Sequence, residues 1–345
     1  MDRAMTYDNS ALQLSRQARA EALHTAWSFQ SEQNYRGIVS LFESVPFQEL
    51  LSEPAMGFLY ARALWRLGRG EEGLKLLKCL APECEARGND RLFRDRLNLE
   101  AALLLERGEI EEAESLWLET LGAAEVAGDE WILACVYTNL GVVHDIRCEW
   151  QQAIVQFQRS MASFQRLGDH RGLASGHHNI AMTHRQLGNL SDAEDHFERA
   201  AYLLRRYGSE DDVARCETER ALLMNCIGNC QLGEVLGQRA LRRFERLRDK
   251  RNEGEALRAL GIITQNTRGY LRALGYLRRA LRSARCTKNV LLEAEVLEEL
   301  AVAQLKKGRP RMAHPLAEAA DRLYVKFSAI RSKRMTERLS RLGAF

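Results

Sequence analysis

Shifted by forty residues, this chain lies over itself, and that period restricts its fold more than any other feature. Residues 133–164 read LACVYTNLGVVHDIRCEWQQAIVQFQRSMASF, and residues 173–200 read LASGHHNIAMTHRQLGNLSDAEDHFERA. Superposing them brings Gly141 onto Ala181, His144 onto His184, Ala153 onto Ala193 and Phe157 onto Phe197. A period of this length marks a repeat architecture, in which each unit leaves an apolar face for its neighbour to cover.

The register extends along most of the chain. The Gly141 position is filled by Ala61, Ala101, Ala181, Ala221, Gly261 and Ala301, with Ala26 one slightly shorter period earlier. The Ala153 position carries Gly73, Ala113, Ala193, Gly233, Ala273 and Ala313, and the Ser160 position Thr120, Ala200, Ala240, Ala280 and Ala320. Small residues there let two antiparallel helices approach closely. Large apolar residues at helical spacing, such as Val136, Leu140, Val143, Ile154 and Phe157, fall between them. A second ladder, Gly68, Gly88, Gly108, Gly128, Gly168, Gly188, Gly208, Gly228 and Gly308, runs at half the period. Glycine just beyond an apolar helical run is the favoured left-handed cap. Each period therefore reads helix, turn, helix, turn. The ladder misses at Cys148, Arg248, Arg268 (beside Gly269) and Lys288.

This pattern resembles the tetratricopeptide repeat family in its longer-helix form. The residues that carry the resemblance are Leu140-Gly141, His144, Ala153 and Phe157, copied as Ile180-Ala181, His184, Gly188, Ala193, Phe197 and Ala200. It covers roughly residues 20–320, with a degenerate first copy around Ala26 and Phe42. The resemblance implies an all-α fold, a right-handed α-solenoid stabilised by nearest-neighbour contacts. The expected organisation is a flexible N-terminus over 1–12, about eight repeats over 13–320, and a basic amphipathic capping helix over 321–345. Pro315 falls in the last repeat's second helix and should kink it or delay its start.

Residues 1–12 show no basic start followed by an apolar core, and apolar runs such as 131–137 are too short to span a bilayer. A cytoplasmic location is the expectation. The eight cysteines form no CxxC pair, so they read as structural thiols, with no metal or cofactor implied. His144 and His184 stand where the resemblance implies a bulky packing residue, and adjacent His177 and His178 cannot face the same side of a helix. With no paired-histidine metal motif, no nucleophile elbow and no phosphate-cradling glycine loop, the chain reads as non-enzymatic.

In such a solenoid the first helix of each repeat lines the concave wall. The candidate groove residues are Thr138, Asn139, Asp145, His178, Asn179, Met182, Arg185, Arg215, Thr218, Asn225, Arg258 and Gln265. An asparagine directly before the Leu-Gly or Ile-Ala pair, as at Asn139 and Asn179, is implied by the resemblance to hold the backbone of an extended peptide. An amide both donates and accepts, so it suits a peptide group of any sequence. The competing reading is that both asparagines bridge adjacent helices. Arg185, Arg215 and Arg258 would select carboxylates.

Although the net charge is only +3, cations crowd the second helices and turns from 239 to 288. Arg239, Arg242, Arg243, Arg246, Arg272, Arg278, Arg279 and Arg282 form a candidate basic convex surface, either a site for an acidic partner or a solvated outer face. With no aromatic residues interleaved for base stacking, nucleic acid is the weaker reading. The acidic stretch 106–130 could pair with this face head to tail in a homo-oligomer. The last helix, expected over 321–342, carries Leu323, Phe327 and Ile330 on one side and Arg331, Lys333, Arg334, Arg338 and Arg341 on the rest. The functional expectation is a non-catalytic adaptor that holds a protein or extended peptide segment in its groove. The alternative is a peptide- or small-molecule-responsive regulator acting through a partner.

Overall fold

The computed structural model describes residues 15–343 apart from 33, 89 and 268. The expected N-terminal segment 1–12 and the ladder miss at Arg268 lie outside the described residues. Among the described residues the chain forms eighteen helices and no strand. The degenerate first unit is α1 (Arg16–Ser31) with the short α2 (Tyr35–Phe42) and α3 (Phe47–Ser52). Regular hairpins follow: α4 (Pro54–Arg66) with α5 (Gly70–Ala86), α6 (Arg91–Arg107) with α7 (Ile110–Ala127), and α8 (Glu130–Ile146) with α9 (Trp150–Leu167). They continue as α10 (His170–Leu187) with α11 (Leu190–Tyr207), α12 (Glu210–Cys226) with α13 (Cys230–Leu247), α14 (Lys250–Thr267) with α15 (Tyr270–Cys286), and α16 (Val290–Lys306) with α17 (Pro310–Tyr324). A last helix, α18 (Ala329–Arg341), closes the chain. The architecture is an α-solenoid of eight helical units and a terminal helix.

The small-residue ladders are the contact lines. Ala61, Ala101, Ala181, Ala221 and Ala301 are fully buried, as are Ala113, Ala153, Ala193, Ala273 and Ala313. At Gly73 and Gly233 even a methyl would not fit, since a Cβ would lie 2.8 Å from the carbonyl oxygen of Ala61 or Ala221 in the partner helix. Between the ladders, Trp117, Phe157 and Phe197 recur in the second helices and are buried. Truncating any one of them should cost about 3–5 kcal/mol.

The turns explain three of the ladder's misses. Gly68, Gly88, Gly108, Gly128, Gly168, Gly188, Gly228 and Gly308 all have positive φ, and Cys148, Arg248 and Lys288 take the same left-handed conformation at φ 61°, 56° and 53°. Local conformation is thus conserved where the residue is not, at a strain of about 1–2 kcal/mol per side chain. Gly208 departs the other way: it is extended (φ −83°, ψ 157°), and Ser209 opens α12 with a capping box to Asp212.

Two expectations for the C-terminus need revision. Pro315 does not delay its helix, because α17 starts at Pro310 and runs through it. The last helix is not continuous over 321–342. The chain leaves the helix after Tyr324 and restarts at Ala329, capped by the Ser328 hydroxyl, which accepts from the Arg331 amide. The break lets Phe327 turn back into the core formed by α4–α8, beside Gly108. It also places Met335 and Leu339, not Ile330, against α16 and α17.

The superhelix closes on itself. α16 lies against α6, and Leu291 packs on the core of the α4–α8 region. Arg251 of α14 pairs with Glu106 of α6, which also accepts from Trp65 Nε1 at 2.8 Å. Arg66 of α4 reaches Asp211 of α12 at 3.8 Å. One superhelical turn therefore takes about five units, and the inner wall encloses a channel.

Candidate functional site

The first helices α8, α10, α12, α14 and α16 present one face inward, and α18 lies across them. Between them is a cavity of about 920 Å³. Of the groove residues expected from the sequence, Asp145, His178, Asn179, Met182, Arg185, Arg215, Thr218, Asn225 and Arg258 line it. Thr138, Asn139 and Gln265 do not. Asn139 donates to Asn98 Oδ1 at 2.9 Å, the same oxygen that accepts from Trp117 Nε1 at 3.0 Å, so it bridges α6, α7 and α8. Asn225 is tied in the same way to Asn266, 3.0 Å away in the next unit. Thr138 is held by Ser160 at 2.7 Å within its own hairpin. Asn179 is thus the asparagine of the original pair that faces the channel.

The channel wall is strongly polar. Arg185 binds Glu219 at 2.8 Å, with both side chains nearly buried. Arg258 sits between Glu255 (3.2 Å) and Glu295 (3.3 Å). Two of the three arginines expected to recognise carboxylates are therefore engaged within the protein. Arg215, 3.9 Å from Asp212, is the more open one. Burial pushes the Glu255 carboxyl up to about 7 despite Arg258, with Glu295 and Glu219 adding to the rise. Burial likewise raises Asp145, whose carboxylate accepts from Thr183 at 3.0 Å. His178 is pushed down to about 3 by burial and then by Arg215, so its imidazole is neutral and packs edge-on against Phe197.

Excluding α18, the wall carries six carboxylates (Asp145, Glu219, Glu255, Glu295, Glu298, Glu299) against three guanidinium groups. α18 evens the balance with Arg331, Arg334, Arg338 and Arg341 against Glu337, which brings the lining to seven of each. Arg331 binds Glu295 at 3.0 Å, and Arg338 binds Glu298 at 2.5 Å and Glu299 at 2.8 Å. Arg334 lies 4.2 Å over the ring of Trp150, and the Tyr324 hydroxyl donates to Glu298 at 2.8 Å. These residues were missing from the sequence-derived groove. Their signal was there: arginines spaced three, four and three apart share one helical face, and Glu295, Glu298 and Glu299 offer the complement.

The basic convex surface is largely neutralised. Arg239 and Arg243 share Glu217, Arg246 pairs with Glu210, Arg279 with Glu245, and Arg272 lies 3.8 Å from Glu234. Arg242, Arg278 and Arg282 are exposed. The eight cysteines are free, and burial pushes the Cys135 and Cys216 thiols up to about 12. Among the described residues no group of three or more histidine, cysteine or acidic side chains is placed to hold a metal ion. No helix among them is long and apolar enough to cross a membrane.

Comparison with curated proteins finds no sequence match. Among solved structures, a Rap protein in complex with competence and sporulation factor superposes with a TM-score of 0.62 at 14% identity, over 94% of this chain and 99% of that one. Aspartyl phosphate phosphatase F from Bacillus subtilis gives 0.61 at 12% identity, over 76% and 69%. The apo form of RapI gives 0.60 at 11% identity, over 78% and 98%. These similarities are of fold. Residues 132–206, the α8–α11 pair of hairpins, match the tetratricopeptide repeat family. The same helical hairpin recurs before and after that stretch, so the chain as a whole is an α-solenoid of such hairpins, with the family match confined to its middle.

Proposed function

We propose that this protein is a non-catalytic regulatory scaffold that holds a peptide segment in its central channel. The observation that carries the reading is the channel itself: about 920 Å³, enclosed by five first helices and α18. That is near the top of the range of ordinary ligand sites, about 300–1,000 Å³. Its polar groups are of the kind that read a peptide. The Asn179 amide can donate and accept, and His178 Nδ1 and Arg185 Nε are buried without a protein hydrogen-bond partner. Buried polar atoms are normally satisfied, so a ligand amide or carboxylate fits there, with Met182 and Leu222 supplying apolar contact. The Rap protein of similar fold binds competence and sporulation factor, which supports a responsive regulator over a static adaptor. The closed superhelix supports it too, because a ligand that spans α8 to α16 would bias how tightly the turn closes.

The test is to pan a displayed library of short random peptides against the wild-type protein and a Met182→Trp variant, whose indole narrows the channel beside Asn179. Peptides that bind wild type and are lost from the folded variant support the channel. Peptides retained equally by both would place binding elsewhere.

A further inference from the structure

Outside the channel, the seam between α11 and α12 breaks the repeat rule in one residue. The position just before the small-residue ladder packs each first helix onto the preceding unit. Leu140, Ile180, Leu260 and Leu300 fill it, all at most 5% exposed. Glu100 also stands there, but it is held by Arg96 at 2.6 Å. In the sixth unit the position is Arg220, half-buried and, among the described residues, with no carboxylate partner. A guanidinium set into an apolar seam without a counter-charge is costly. The neighbouring units show that a leucine would fit.

Here the seam stays open. The α11–α12 turn is the one with the extended Gly208, and a cleft of about 620 Å³ is lined by α10, α11 and Arg220 of α12. Two more arginines of α11, Arg199 and Arg205, line it with Arg220, again without an ion pair among the described residues. Tyr202 keeps 64% of its surface exposed there, and Glu198 is the single carboxylate on the rim. His177, the neighbour of the channel-facing His178, turns to this side and lies 3.0 Å from His196, nitrogen to nitrogen. Burial, His196 and Arg199 push His177 down to about 4, so it is a neutral hydrogen-bonding group in a cationic setting. Elsewhere on the second helices unpaired arginines stand among paired ones, such as Arg239, Arg243, Arg246 and Arg279; in this cleft three unpaired ones line a single site.

We infer that the α11–α12 cleft is an anion site for a small phosphate monoester, held by Arg199, Arg205 and Arg220 with the Tyr202 ring beside it. A single carboxylate is satisfied by one bidentate arginine. Three guanidinium groups offer donors to the three oxygens of a phosphoryl group, and with Glu198 counted they leave a net +2 that matches its charge of about −2. This site is separate from the channel and does not depend on the reading given above.

The register argument supplies a sharp test, because Arg220→Leu restores what the other units carry. Titrating AMP and ribose 5-phosphate into the full chain by calorimetry, with citrate as a polycarboxylate control, should show binding of the phosphates and not of citrate. Arg220→Leu should weaken that binding roughly 10- to 100-fold while melting at or above the wild-type temperature. The surface pair Arg199→Gln, Arg205→Gln should weaken it similarly without touching the seam. Absence of binding by either phosphate at millimolar concentration, equal binding of citrate, or unchanged binding in these variants would overturn the assignment. So would an Arg220→Leu protein that melts well below wild type, since Arg220 would then be holding the seam.

Discussion

Glu255 offers the most direct probe of the channel's electrostatics. Its carboxyl is raised from 4.5 to about 7, chiefly by burial. The folded state therefore keeps a proton that the unfolded chain has released throughout that window. Stability contributed by the retained proton is complete below about pH 4.5 and is lost as pH rises through about 7, because the unfolding free energy falls wherever the native state binds more protons. The full shift corresponds to about 3 kcal/mol. The side chain still has 31% of its surface open to the channel, so screening reduces the expected effect to about 1–2 kcal/mol. Glu255→Gln removes the titration, while Arg258 keeps Glu295 at 3.3 Å. In urea unfolding followed by circular dichroism, the difference between variant and wild type should move in favour of glutamine by about 1–2 kcal/mol from about pH 5 to about pH 8. It should then level off. Other titrating groups are common to both proteins and cancel in the difference. A constant difference, or one moving toward glutamate, would refute the reasoning. The same proton is a monitor of binding: a ligand that brings positive charge beside Glu255 should release it, visible as a buffer-dependent enthalpy.

Two further predictions address the turns and the tail. Arg248→Gly relieves a left-handed strain of about 1–2 kcal/mol, offset by about 0.4–1 kcal/mol for the looser unfolded chain. Arg248 is exposed, so a net gain of about 0.5–1 kcal/mol in unfolding free energy, read as a higher urea midpoint, is expected, and a loss would show the turn to be unstrained. Phe327→Ala removes a ring that is 4% exposed in the α4–α8 core. It should cost about 3–5 kcal/mol and speed amide exchange along α18 before the rest of the chain. Uniform exchange would show that Phe327 does not anchor that helix.

The parts of the fold legible in the sequence were those governed by local periodicity. Ala61, Ala101 and Ala221 could be assigned to helix contacts because a forty-residue register leaves no other role for so regular a small side chain. The turns were legible even where glycine was replaced, since Cys148, Arg248 and Lys288 fall on the half-period and adopt the backbone that their position requires. The closure of the superhelix was not. It rests on pairs such as Arg251 with Glu106 and Arg66 with Asp211, about 145 residues apart in each case, and no local pattern records them. The channel was half legible for the same reason. The first-helix face gave His178, Asn179, Met182 and Arg185, but the face alone cannot show that Asn98 occupies Asn139, or that Glu219 occupies Arg185. The Ala329 restart of the tail depends on Phe327 finding a core some two hundred residues earlier.

The position of that tail changes what a capping helix means here. A cap needs only to cover the apolar end of the last unit, which Met335 and Leu339 do against α16 and α17. The opposite face of α18 has a separate role: Arg331, Arg334 and Arg338 reach Glu295, Trp150 and the Glu298–Glu299 pair. Trp150 opens α9, far from the last hairpin in sequence, so the tail spans the channel from its late wall to its early one. Without those arginines the wall would hold six carboxylates against three guanidinium groups in an enclosed space, and carboxylates so placed would have to take up protons. The tail therefore counters, through Arg331 and Arg338, the burial that raises the Asp145 and Glu298 carboxyls, as well as closing the channel's end. Any ligand that enters meets a wall whose acidity α18 has already offset.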